Sequence, residues 1–171
     1  MGFFEKTREL TETERSLAWQ VFWDTLPYDR IRIGDHFGFG DRAWMESIDM
    51  PGPFTGDLYL LHMGGVGFLD ATSDAKIYGS EYEKKVKHTF IHELTHVWQC
   101  YHGFGFLLTR SFVNQGCAWL TGGDAYDYES GLEWGDYNIE QQAKIVEDWF
   151  KGGMSTEIVL YEYIRDYIRN C

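Results

Sequence analysis

The sequence predicts an α+β fold, rich in helix and holding a small sheet, and three observations carry that reading. Apolar residues recur at helical spacing in four separate stretches. Between the first two lies Arg30 to Asp74, where short alternating or apolar runs are broken by Gly, Pro and Asp. Aromatic residues make up 18% of the 171, enough to fill a sizeable core in a chain of this length. No internal repeat, low-complexity tract or linker interrupts it, so a single domain over residues 1–171 is expected.

The elements follow in order. Thr11-Glu12-Thr13-Glu14 has the capping-box pattern, and Leu17, Ala18, Val21 and Phe22 then recur on one face. This predicts a helix from about Glu12 to Trp23, stopped by Pro27. Arg30-Ile31-Arg32-Ile33 alternates and Leu58-Tyr59-Leu60-Leu61 is a short apolar run, as small-sheet strands would be. Ser80-Glu81-Tyr82-Glu83 is a second capping box, expected to open a long helix. Its stripe is Val86, Phe90, Leu94, Val97 and Tyr101, and Gly103 can end it in the left-handed conformation. Asn138 can cap a further helix to Lys151, with Ile139, Ala143, Val146 and Phe150 inward and Gly152-Gly153 closing it. Ser155 or Thr156 is the expected start of a last helix carrying Ile158, Tyr161, Ile164 and Ile168.

Charge narrows the partners. Lys plus Arg total 15 against 27 Asp plus Glu, a net charge of −12. That balance repels phosphate backbones and anionic head groups, which removes nucleic acid and membrane surfaces as default partners. No stretch approaches the roughly 20 apolar residues of a membrane span. Met1 to Gln20 carries four glutamates and no apolar core, so it is not read as a secretory signal and synthesis in the cytoplasm is expected. Cys100, Cys117 and Cys171 are too few and too scattered for a disulfide framework.

His92-Glu93-Leu94-Thr95-His96 lies in the middle of the long predicted helix. Histidines four residues apart stack on one helix face, so both imidazoles can reach one metal ion. Glu93, beside the first of them, can lean over an open coordination position and take a proton from water held there. Zinc suits this chemistry because it acidifies water and polarises a carbonyl without redox reactions.

A catalytic zinc needs a third protein ligand, and the chain offers several. His102 stands at the third-histidine position of the elongated HExxHxxGxxH motif, but Gln99 replaces the Gly that breaks the helix there. On a continuous helix His102 lies roughly 80° around the axis from His92. Asp124 and Asp127 follow Gly122-Gly123 in an aspzincin-like arrangement, though Asp in such a loop is ordinarily a turn residue. Glu140 lies in the first turn of a downstream helix, where a glutamate also complements the helix dipole. His88, one turn before His92, offers poor tetrahedral geometry.

Phe90 to Gln99, Tyr126-Asp127-Tyr128, and Tyr137-Asn138-Ile139-Glu140-Gln141-Gln142-Ala143-Lys144-Ile145-Val146 together resemble the Rhs/Vgr-related zinc metallopeptidases. These are gluzincin-like HExxH domains, including the C-terminal domain of a VgrG spike protein of type VI secretion systems. The resemblance covers Lys87 to about Phe150 well and the N-terminal half in outline. It implies a zincin-like fold, Zn2+ held by His92, His96 and Glu140, and Glu93 as general base. It also implies an antibacterial effector, acting on a protein or peptide substrate, with a VgrG or Rhs delivery module, an immunity protein and a periplasmic target. Thermolysin-type gluzincins place an Asp one turn after the ligand Glu; Lys144 stands there here, leaving Asp148 as a candidate partner for a ligating histidine.

Two further roles complete the reading. Tyr126 and Tyr128 are candidates to stabilise the oxyanion of the tetrahedral intermediate. The strand before the active-site helix, Asp57 to His62, is expected to be the sheet edge on which substrate pairs, with Tyr59 and His62 in the cleft. The alternatives are a binding protein on a degenerate zincin scaffold and an intracellular zinc protease with no toxin role.

Overall fold

Thr11 and Glu14 close the expected capping box. The Thr11 hydroxyl accepts from the Glu14 N–H at 3.2 Å, and the Glu14 carboxylate accepts from the Thr11 N–H at 2.8 Å. They start helix α1, Glu12–Phe22, in the computed structural model, which describes residues 6–37, 42–48, 57–77, 84–103 and 126–171. The same carboxylate takes both Arg8 guanidinium nitrogens at 2.7 Å and the Ala71 N–H at 2.9 Å. One buried side chain thus ties the helix start to the sheet and to the loop after the strands. Burial alone would raise its pKa, but the Arg8 and backbone donors outweigh that and hold it below the ordinary value.

Among the described residues the sheet has four strands: β1 Thr7–Glu9, β2 Ile31–Gly34, β3 Trp44–Ile48 and β4 Leu58–His62. Their order is β1-β2-β4-β3, with β2 and β4 parallel and the other pairs antiparallel. Ile31 and Ile33 are fully buried on the inner face of β2, as their alternation predicts. β1 has no apolar pattern and is a strand only because it pairs with β2.

β4 corrects the sequence reading. It is an interior strand paired on both sides, with Tyr59 and His62 buried, so it offers no edge to a substrate. Among the described residues the outer strand on this side is β3, which also packs on the helix that bears the HExxH motif. Connection order misleads here: the strand nearest that helix in sequence lies between β2 and β3 in space.

A short helix, α2 (Gly64–Leu69), leads toward α3, Val86–Tyr101. The capping box Ser80 to Glu83 lies outside the described residues. The helix begins at Val86, later than expected, because the chain enters it in extended form: Lys85 bridges Lys76 and the Ile77 N–H donates to the Lys84 carbonyl at 3.0 Å. Val86, Phe90, Leu94 and Val97 are fully buried, whereas Tyr101 is exposed, since α3 ends there and Gly103 turns the chain at φ +77°.

Asn138 and Gln141 form the second complete capping box and start α4, Ile139–Lys151, which packs along α3. The last helix, α5, starts at Leu160 and winds into a π turn over Ile164–Ile168, not from Ser155 or Thr156. The Trp149 indole holds the Ser155 carbonyl at 2.9 Å and Met154 is left-handed at φ 59°, which keeps that segment out of helix. Trp98, Trp134 and Trp149 are buried in the core between α3, α4 and this last element. Cys100 and Cys171 are free thiols; Cys117 lies outside the described residues. No helix among the described residues is long and apolar enough to cross a membrane.

Candidate metal centre

His92 and His96 project from one face of α3, with ring centres 5.0 Å apart and planes at 83°. The perpendicular rings aim an Nε2 atom each at the same space. Glu140, in the first turn of the facing α4, completes it: its Oε2 lies 3.2 Å from His92 Nε2 and 3.5 Å from His96 Nε2. One ligand atom from each residue falls within 4.8 Å of the other two, so the group could hold a metal ion. Side-chain exposures of 6%, 12% and 11% leave it shielded but not sealed.

The electrostatics favour a cation at this point. Burial pushes the His92 imidazole down, yet the Glu140 and Glu147 carboxylates outweigh it and hold its pKa at about 10. His96 is raised by Glu140 against the same burial penalty. Glu140 is buried too, and the two histidines still press its carboxyl well below the usual range. Glu93 goes the other way: its burial dominates and raises its pKa. A carboxyl with raised pKa beside a cation-seeking cluster is poised to accept and return a proton.

Two orienting residues emerge that sequence reasoning missed. Glu147 brings Oε2 to 3.2 Å from His92 Nδ1, within ion-pair distance, and both atoms are buried with no hydrogen-bond partner among the described residues. Gln99 Oε1 accepts from His96 Nδ1 at 2.8 Å, while its Nε2 donates to the Ile139 carbonyl and to Gln142 Oε1. Each imidazole is therefore held through its far nitrogen, which leaves Nε2 free to ligate. The signals were helical: Glu147 lies two turns from Glu140 on the same face, and Gln99 one turn from His96. Gln99, noted only as the absent Gly, fastens α3 to α4.

Asp148 does not reach the histidines. It lies 100° farther around α4, pairs with Lys144, and accepts from the Tyr128 hydroxyl at 3.2 Å. Tyr128 is thereby committed to α4, whereas the Tyr126 ring centre lies 6.1 Å from that of His92. His102 points elsewhere, its Nε2 2.7 Å from the Thr25 carbonyl. His88 sits edge-on to Phe150 at 5.9 Å. Asp127 accepts from Gln141 through its backbone carbonyl, outside the cluster, and Asp124 lies outside the described residues. His62 stacks on Trp44 at 4.5 Å and approaches Glu46 at 3.2 Å, within the sheet.

No protein-family model matches the chain. It is 35% identical over 147 residues, 85% of its length, to the type VI secretion system spike protein VgrG2b of Pseudomonas aeruginosa. The chain spans only 13% of that protein. The solved effector domain of the same VgrG2b superposes with a TM-score of 0.55 at 28% identity, covering 91% of this chain and 81% of that domain. The chain is thus similar, in sequence and in its α+β structure, to a VgrG effector domain.

Proposed function

We propose that the chain is a zinc metallopeptidase of zincin-like fold and a type VI secretion effector domain. One observation carries the catalytic part: two helices bring His92, His96 and Glu140 together, buried, with ligand atoms within 4.8 Å. Two imidazoles and a carboxylate are the donor set of catalytic zinc sites, and three protein ligands leave a position open for chemistry. When bound, the metal supplies Lewis acidity, polarising the scissile carbonyl and acidifying the attacking water.

The chain's own residues do the rest. Glu93, its pKa raised by burial, takes the proton from the attacking water and delivers it to the leaving amine. Gln99 and Glu147 fix the ligand tautomers. Tyr126, its ring centre 6.1 Å from that of His92, is our candidate donor to the developing oxyanion, a role Tyr128 can share only by leaving Asp148. β3, the outer strand against α3, gives an extended peptide a line of backbone partners.

The similarity to VgrG2b supports the effector role and a VgrG delivery context; to these we add a Rhs module as the other carrier, a periplasmic target and a cognate immunity protein. Retention of Glu93 beside the intact ligand set speaks against a degenerate binding scaffold. Directing the chain to the bacterial periplasm with an added signal should arrest growth, cytoplasmic expression should not, and Glu93→Ala should be harmless in both. Equal growth of the active and Glu93→Ala forms in the periplasm would remove the toxin role.

A further inference from the structure

Lys84 sits where the chain enters α3, its backbone fixed by the Ile77 hydrogen bond and the neighbouring bridge. Its ammonium hangs over the Tyr126 ring, 5.4 Å from the centre, on a half-buried side chain. The lysines nearby are spoken for: Lys85 and Lys87 hold Asp74, and Lys144 and Lys151 hold carboxylates of α4. Lys84 has no carboxylate of the described residues within ion-pair distance. Among the described residues it is a cation near the His92 side of α3 with no ion-paired carboxylate.

We propose that Lys84 recognises a carboxylate on the substrate, a reading that rests on the metallopeptidase assignment and deepens it. Reach sets the register. Tyr126 lies 6.1 Å from the His92 ring, so the ammonium is at most roughly 12 Å from that ring. An extended peptide advances about 3.3–3.6 Å per residue, so the carboxylate falls within about three residues of the scissile bond. Charge sets the selectivity. A chain of net charge −12 repels anions at long range, and a fixed cation beside the metal makes this cleft the exception. The field of Lys84 reaches Glu93 and Glu147, which places it on the cleft side of α3. The carboxylate can be an acidic side chain or a free chain end, and both present the same group to the ammonium.

The test uses three peptide hydroxamates on the zinc-loaded chain: one neutral, one with an internal Asp, one with a free C-terminal carboxylate. The hydroxamate reads the metal and the carboxylate reads Lys84. At least one anionic probe should bind about tenfold tighter than the neutral one, and the arm that gains identifies the source. Lys84→Met should erase that gain, leave the neutral probe unchanged, and so report an intact fold; Lys84→Arg should keep most of it. Equal binding of all three probes, or a gain that survives in Lys84→Met, overturns the proposal. If the chain takes up no zinc and none of the three hydroxamates binds, the metallopeptidase reading fails and this inference is overturned with it.

Discussion

Glu147 and His92 meet across the α3–α4 interface, with Oε2 3.2 Å from Nδ1, while Glu140 on the same helix lies 3.2 Å from the ring's other nitrogen. One helix thus grips one imidazole at both ends. Glu140 and Glu147 are two turns apart, so a single rigid element sets the ring's position and its tautomer together. Burial would raise the Glu147 carboxyl, but His92 dominates and holds it down at about 2.

Glu147→Gln should therefore weaken zinc binding about 10–100-fold without abolishing it, the range for losing an orienting partner. Asp148→Asn, one residue on, should leave the affinity within a few-fold, because Asp148 faces Lys144 and Tyr128. Competition titration against a chromophoric chelator measures both. Equal losses in the two variants would mean that Glu147 acts only through α4 stability.

Glu140→Ala should cost well beyond that 10–100-fold range, since it removes one of three ligands. His102→Ala, Asp124→Ala and Asp127→Ala should keep one zinc per chain. Zinc content after dialysis decides it, and retention by Glu140→Ala with loss in any of the others would sink the ligand assignment.

Glu93→Ala should keep its zinc and lose all hydrolysis of an unfolded protein substrate, because the proposed mechanism gives Glu93 a proton to carry and no metal to hold. Zinc loss in this variant would instead make Glu93 a ligand.

Glu14 predicts a pH dependence away from the site. Its folded pKa lies below the ordinary value of 4.5, so its stabilisation is full above that value and fades as pH falls through the folded pKa. Urea unfolding at pH 7 should show Glu14→Ala less stable by about 3–5 kcal/mol, the cost of leaving a charged partner stranded, here Arg8. The gap between parent and variant should narrow as pH falls below 4.5. A gap constant with pH would deny the ion pair its part.

What could be read from sequence was local. The capping box at Thr11–Glu14, the cap at Asn138 and the ends at Gly103 and Gly152 are contained within a turn or two of chain. His92 and His96 share a face by helix geometry alone. What escaped depends on contacts between distant segments. β1 is polar and becomes a strand only through β2; β4 is interior only because β3 folds back beside it. Glu147 and Gln99 look like ordinary helix residues until α3 and α4 are packed together. Ser155 and Thr156 carry a good start signal, but Met154 and the Trp149 indole hold the chain in a turn there.

The central claim is that His92, His96 and Glu140 hold a catalytic zinc, and anomalous diffraction at the zinc edge from crystals of the zinc-loaded chain tests it most directly. One strong peak is expected, about 2.0–2.2 Å from the two Nε2 atoms and a Glu140 oxygen, with a remaining position open toward Glu93. No peak at this cluster, or a peak held by other residues, would contradict it.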